Sequence, residues 1–305
     1  MGARILVTGG TGHLGSQLTR QAASAGWSVI GTYFTRPTGS ADERLDIRDP
    51  AAVHQTMRRV RPDVVVHTAA GRDDWRVIAD GAAHVAAAAA ALGARLVHVS
   101  SDAIFSGDDV HYDEAAAPDP VYRYGAAKAA AETAVRAIAP GAAIVRTSLI
   151  LGDGWGGSGD GRGGSSDGRG GSSDGRGGSS DGLGGHETLT HRLISGQIDG
   201  VLFTDQIRTP VHVADLADSL LELAAGGYAG VINVAGPDAI SRYDLGVLVA
   251  RRDGLDPTRL RAGRVADLGS SVPTDVRLRT AKARSMLRTR LRGAHEFMSA
   301  APGTG

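Results

Sequence analysis

The sequence has no cysteine, which excludes a disulfide framework, a thiol nucleophile and a Cys-ligated zinc site. Its formal net charge is zero, with arginines scattered among acids, so nothing points to a nucleic-acid or anionic-membrane partner. Long hydrophobic runs are also missing. The best, "AAHVAAAAAALGA" at 82–94, is too short and too weakly apolar to cross a bilayer. "MGARILVTGG" enters a predicted strand directly, leaving no room for a signal peptide, so a cytoplasmic chain is expected. Aromatics are only 4% of 305 residues, and the heavy Ala, Gly and Arg usage looks like a coding bias. Alanine-rich stretches therefore carry little functional weight. Lysine is scarcest among the charged residues: of 33 Lys plus Arg, only Lys128 and Lys282 are lysine.

What is present is an alternation of short apolar runs and amphipathic segments, in a chain long enough for one large core or two modest ones. Strands are predicted at 4–9, 27–34, 63–70, 94–101 and 142–148, with helices near 12–25, 49–60, 74–92 and 120–138 between them. Asp49 and Pro50 mark a helix start. This beat indicates βαβ units and a doubly wound parallel sheet covered on both faces. It breaks after residue 150, where "GGSGDGRGGSSDGRGGSSDGRGGSSDGLGG" (156–185) repeats a seven-residue unit with no apolar seam. Such a composition reads as a flexible loop over about 152–186. Beyond it, 187–305 is expected to form a smaller α/β region, some of whose elements pack back on the first domain (1–151). Its last segment, 277–298, reads as one basic amphipathic helix.

The loop "VTGGTGHLG" (7–15) joins the first strand to the first helix. Gly9, Gly12 and Gly15 at GxxGxxG spacing suit a tight turn, close approach of a dinucleotide pyrophosphate, and packing of helix on strand. His13 and Leu14 complete this cofactor loop, at a helix N-terminus that favours an anion. Strand two ends "GTYFTRP" with no acid to hold a ribose 2′-hydroxyl, and Arg36 follows. A guanidinium suits a 2′-phosphate, so NADP(H) is expected over NAD(H), unless Arg36 is merely a surface arginine. In "LDIRD" (45–49), Asp46 could accept from the adenine amino group while Ile47 packs on the ring. Asp46 could equally be a turn acid ahead of the helix, although Asp49 fits the cap better.

Tyr124 and Lys128 stand at i and i+4 in "YRYGAAKAAAE", one turn apart on one helix face. Reduction of a ketone needs a proton donor at oxygen, and a free phenol with a pKa near 10 serves only when a neighbouring cation lowers that value. A compact ammonium with rotatable donors can do this and can hold ribose hydroxyls as well, which a rigid guanidinium fork does not imitate. Strand four ends in "VSSDAIFSG" (99–107), where the hydroxyl of Ser100 or Ser101 could meet a substrate carbonyl.

Together with "RPDVVVHTAA", "IVRTSLILG", "DQIRTPVHVADLA" and "VRLRTAKA", these residues resemble an extended short-chain dehydrogenase/reductase, most closely the dTDP-4-dehydrorhamnose reductase (sugar-nucleotide reductase) family. The resemblance implies a Rossmann-like fold with a smaller C-terminal substrate-binding region. It implies Tyr124 as general acid, Lys128 as its cation and ribose anchor, and Ser101 as the carbonyl-binding hydroxyl. Asp102 would meet substrate, Asp46 and Ile47 adenine, and Thr68, Ala69 and Ala70 would run along the cofactor; Arg208, though a departure from the family pattern, is expected at the substrate as well. The implied partner is a small-molecule sugar nucleotide, with a homodimer allowed.

Four features depart from the family pattern: Leu149 replaces an aromatic in "RTSL", the heptad repeat overwrites a loop, Arg208 and Thr209 replace a small pair, and Asp80 stands where an asparagine is common. All bear on substrate or proton relay and none on the cofactor loop. The reading is an NADPH-dependent reductase of a 4-keto sugar nucleotide. A non-catalytic NADP-binding regulatory or interaction subunit, or an epimerase or dehydratase of the same fold, stand as alternatives. "HETLTH" (186–191) has one residue too many for a HExxH zinc motif and reads as a loop-to-helix junction, so no metal site is expected.

Overall fold

The computed structural model describes residues 2–39, 43–71, 74–152, 185–268 and 272–299. The expected flexible loop over the repeat lies almost wholly outside the described residues.

Seven strands form one parallel sheet: β1 (Arg4–Thr8), β2 (Ser28–Tyr33), β3 (Glu43–Arg44), β4 (Val64–His67), β5 (Arg95–Val99), β6 (Ala143–Arg146) and β7 (Gly230–Asn233). Their order is β7-β6-β5-β4-β1-β2-β3. The chain winds outward from β1 to β2 and then back across it to β4, which opens a crevice beyond the carboxyl ends of β1 and β4. Burial on both faces explains why β4 and β6 read as unbroken apolar runs.

Helices α2 (Pro50–Val60), α3 (Gly81–Ala91) and α4 (Arg123–Ile138) cover one face, closing a core of Leu6, Val65, Leu96, Ile144, Met57, Val85 and Val135. On the other face lie α1 (His13–Ser24) and α6 (Val213–Ala225), over Ile5, Val7, Val66, Val97, Leu18 and Leu220. Asp49 caps α2, accepting from the amides of Ala51 and Ala52, and Pro50 occupies its first turn. Both α6 and β7 come from the second half of the chain, which therefore completes the first sheet as well as building its own layer. That layer packs α7 (Arg242–Arg252) against α5 (Gly185–Ile194) and α9 (Ala294–Ser299).

A buried ionic cluster ties this layer to the sheet side. Glu187, in the first turn of α5, accepts from the Gly152 amide at 3.2 Å and pairs with Arg252 at 2.8 Å. Arg252 in turn donates to the Gly152 carbonyl at 2.8 Å. Gly152 and Gly185 flank residues 153–184, so one carboxylate–guanidinium pair holds both ends of that stretch.

The single closing helix expected over 277–298 is corrected. The segment is a two-residue strand (Arg277–Leu278), α8 (Ala281–Met286), an extended run and then α9. Tertiary contacts with α6 outweigh helical periodicity here. Glu222 accepts from the amides of Arg288 and Thr289 at 2.8 and 2.7 Å, and Asp215 takes the Arg292 guanidinium at 2.7 Å. "HETLTH" occupies the first turns of α5, which begins at Gly185, with His186 buried and His191 bonded to Asp253 at 2.6 Å.

Candidate active site

A cleft of about 800 Å³ runs along the carboxyl edge of the sheet into the second layer. At one end lies the glycine turn. Gly9 has φ +75°, and a Cβ there would stand 2.8 Å from the Ala69 backbone, so only glycine fits without strain. A Cβ on Gly15 would reach 2.1 Å from the Gly9 carbonyl oxygen, which is the close approach of helix to turn that the spacing implied. Gly12 has no side chain to cap α1, and the positive end of the helix opens on the cleft.

Gly9, Gly12, His13, Leu14, Gly15, Asp46, Ile47, Thr68, Ala69, Ala70, Ser101, Asp102, Tyr124 and Arg208 all line this one cleft. Two expected site residues, Lys128 and Arg36, do not line it. Arg36 is exposed and follows the nucleotide end of the cleft, whose wall there includes Phe34 and Thr35 just before it. Asp80 is exposed on a π-turn (Arg76–Asp80) and also lies outside the wall.

Lys128 sits beneath the wall, 6% exposed, and its Nζ donates to the Val99 carbonyl at 2.9 Å. Burial lowers its pKa from 10.5 to about 8, with the Glu132 carboxylate opposing. Tyr124, Lys128 and Glu132 succeed one another at i, i+4 and i+8 on α4. Glu132 holds Arg146 of β6 at 2.9 Å, both side chains 1% exposed, which fixes this helix face on the sheet. A Cβ on Gly125 would lie 2.1 Å from the Ala103 carbonyl oxygen. Glycine there lets the first turn of α4 press on the strand-end turn, so that Tyr124 and Ser101 line the same cleft.

Ser101 caps the short turn Asp102–Ile104, its Oγ accepting from the Ala103 amide at 3.2 Å. Asp102 is 6% exposed. It accepts from Ser148 Oγ at 2.6 Å and from Ser101 Oγ at 3.4 Å, with Arg208 Nε 3.7 Å away. Burial pushes its carboxyl above the usual range, while Arg208 and Ser148 oppose this. Arg208 is braced by the carbonyls of Ile207, Pro273 and Thr274 at 2.6–2.9 Å, so it acts as a strut for Asp102 and for the 273–274 loop.

Behind Lys128, His67 and His98 stack at 5.3 Å on neighbouring strands. His67 Nδ1 bonds Thr8 Oγ1 at 2.6 Å, whereas neither ring nitrogen of His98 has a hydrogen-bond partner among the described residues. Burial, reinforced by Lys128, lowers His67 to about 3 and holds His98 well below the usual histidine range, with His67 adding to the effect on His98. Both are neutral at pH 7.

Sequence reasoning missed several wall residues. Phe34 and Arg48 flank the nucleotide end, and Tyr122, Ser148, His186, Gln206 and Arg242 line the other. Phe34, Arg48, Tyr122, Ser148 and Gln206 come from loops, and His186 and Arg242 from the first turns of α5 and α7. All but Arg242 lay inside a quoted motif, yet none carries a periodic signal that marks it as a wall residue. Among the described residues no group of side chains is placed to hold a metal, and no helix is long and apolar enough to cross a membrane.

A family model described as RmlD substrate binding domain matches residues 3–159. A dTDP-4-dehydrorhamnose reductase of Mycobacterium tuberculosis (strain H37Rv) is 32% identical over 85% of this chain and 78% of its own length. The beta subunit of methionine adenosyltransferase 2 from Rattus norvegicus is 26% identical over 85% of this chain and 74% of its own. Among solved structures, a dTDP-4-dehydrorhamnose reductase from Bacillus anthracis in complex with NADP aligns with a TM-score of 0.75 at 23% identity, covering 98% of each chain.

Proposed function

The chain belongs to the RmlD substrate binding domain family, and from that premise we propose that it is an NADPH-dependent reductase of a 4-keto sugar nucleotide of the dTDP-4-dehydrorhamnose type. The observation that carries this reading is one cleft holding the glycine turn, Ser101 and Tyr124, with Lys128 directly beneath.

The chain's own residues fit the cofactor. The Gly9–Gly15 cradle is one that any Cβ would fill, and it faces the N-terminus of α1, suited to a pyrophosphate. Asp46 and Ile47 would hold adenine, and Thr68 to Ala70 would line the path toward nicotinamide. When bound, NADPH supplies the hydride. Ser101 Oγ then donates to the carbonyl oxygen, and Tyr124 gives that oxygen its phenolic proton as negative charge develops there. The Lys128 ammonium stabilises the phenolate left behind. Asp102, steadied by Ser148 and Arg208, would accept from a sugar hydroxyl and orient the ring.

The test is NADPH oxidation with dTDP-4-dehydrorhamnose, followed by absorbance. Tyr124→Phe is expected to lower kcat by at least about 100-fold and to leave NADPH affinity within about threefold. Unchanged turnover in that variant would overturn the role of Tyr124. NADPH binding with no turnover of any keto sugar would favour instead the subunit reading, to which the likeness to an adenosyltransferase subunit lends support.

A further inference from the structure

The nucleotide end of the cleft holds a cation that the sequence did not single out. Arg48 follows Ile47, and its guanidinium lies 5.0 Å from the centre of the Phe34 ring. Phe34 and Thr35, the two residues after β2, line the cleft together with Arg48. Asp46 grips the guanidinium from its own side: Nε donates to Oδ1 at 2.9 Å and Nη2 to Oδ2 at 2.7 Å, while the Arg48 amide donates to Oδ1 at 3.0 Å. The remaining nitrogen, Nη1, has among the described residues only an ion pair with Asp74 at 3.7 Å. The side chain is 30% exposed, within reach of a solute in the cleft.

We propose that Arg48, not Arg36, reads the 2′-phosphate of the dinucleotide, held in place by Asp46 and Phe34. This rests on the reading that the cleft binds NADPH and names the residue that makes it prefer the phosphorylated cofactor. A guanidinium meets a phosphate best when its plane is fixed beforehand, because less rotamer freedom is then lost on binding. Here a carboxylate fixes one edge and an aromatic ring fixes the face, which leaves Nη1 turned to other partners. The two other arginines near β2 lack this arrangement. Arg36 lies outside the wall. Arg44 stands farther from Phe34, at 6.0 Å, with its Nε donating to the Phe34 carbonyl at 3.3 Å, and it too is outside the wall.

The proposal separates 2′-phosphate from adenosine recognition, so binding of two small probes tests it without turnover. Calorimetry with adenosine 2′,5′-bisphosphate and with 5′-AMP is carried out on wild type, Arg48→Met, Arg36→Met and Arg44→Met. Arg48→Met is expected to weaken the bisphosphate about 10- to 100-fold, the size of a lost charge-assisted contact, and to leave 5′-AMP within about threefold. Arg36→Met and Arg44→Met are expected to leave both probes within about threefold. Arg48→Lys, which keeps the charge but loses the fork, should fall between wild type and Arg48→Met; it stands in for the latter if that variant does not fold. Equal loss of both probes in the Arg48 variants, or loss of the bisphosphate in Arg36→Met or Arg44→Met, overturns the proposal. Wild type that binds both probes equally also overturns it while sparing the reductase reading. Wild type that binds neither sinks that reading as well.

Discussion

Lys128 donates from Nζ to the main-chain carbonyl of Val99 at 2.9 Å, two residues before Ser101. One hydrogen bond thus joins the cation on α4 to the strand that delivers the serine. Displacement of either element moves both, and the tyrosine one turn before the lysine goes with them.

The pH dependence of turnover follows from this burial. Lys128 acts as an ammonium, and its pKa is lowered to about 8, so the reductive rate should be full below that pH and fall as pH rises through it. Stability runs the other way. The unfolded lysine, near 10.5, holds its proton where the folded one has shed it, so between about pH 8 and 10.5 Lys128 favours folding increasingly as pH rises. A kcat profile with no alkaline limb between pH 7 and 9 would contradict the assigned role.

Gly125→Ala tests the contact between α4 and the strand-end turn. The new methyl meets the Ala103 carbonyl oxygen, a backbone atom that cannot swing aside. Overpacking of this kind costs about 1–3 kcal/mol, and a shift of the helix by a fraction of an ångström should lower kcat more than NADPH affinity. Thermal melts and single-turnover rates read the two effects separately. Unaltered values for both would show that the turn and the helix are not in register as described.

The stacked pair His67–His98 should make the protein acid-sensitive. Both imidazoles are neutral when folded, and His67 is lowered to about 3. The unfolded chain takes up protons below about 6.5, so stability should fall as pH drops from there toward 3. His98→Leu removes two buried nitrogens without a hydrogen-bond partner among the described residues and one titrating group. Its melting temperature should exceed that of wild type by more at pH 5 than at pH 7. A parallel decline of the two proteins would assign the acid sensitivity elsewhere.

The features legible in the sequence were those with a period or a fixed spacing. GxxGxxG between strand and helix, the i, i+4 pair Tyr124–Lys128, and the buried runs of β4 to β6 all translate into backbone geometry through steric rules. Arg48 and Phe34 were not legible, because their meeting depends on how the loop after β2 lies against the loop before α2. That Arg36, one residue beyond Thr35, does not line the cleft was illegible for the same reason. Over 277–298 the spacing of Leu and Met was helical, and carboxylates distant in sequence, Asp215 and Glu222 of α6 and Asp238, hold the segment otherwise.

Ser148→Ala removes the shortest hydrogen bond to Asp102. Leaving a buried acceptor without its donor costs about 1–3 kcal/mol, and the freed carboxylate should orient sugar poorly. KM for the keto sugar is expected to rise at least about threefold, with NADPH affinity unchanged. A change confined to NADPH affinity would remove Asp102 from the sugar end of the cleft.

The Glu187–Arg252 pair has a consequence for how this gene can vary. A gain or loss of seven-residue units would leave the contacts among Gly152, Glu187 and Arg252 in place, because all three residues lie outside the repeat. Even a connecting chain with no structure of its own costs only about 0.6 kcal/mol per doubling of length. Variants with more or fewer units are therefore expected to keep the stability of the fold to within about 1 kcal/mol.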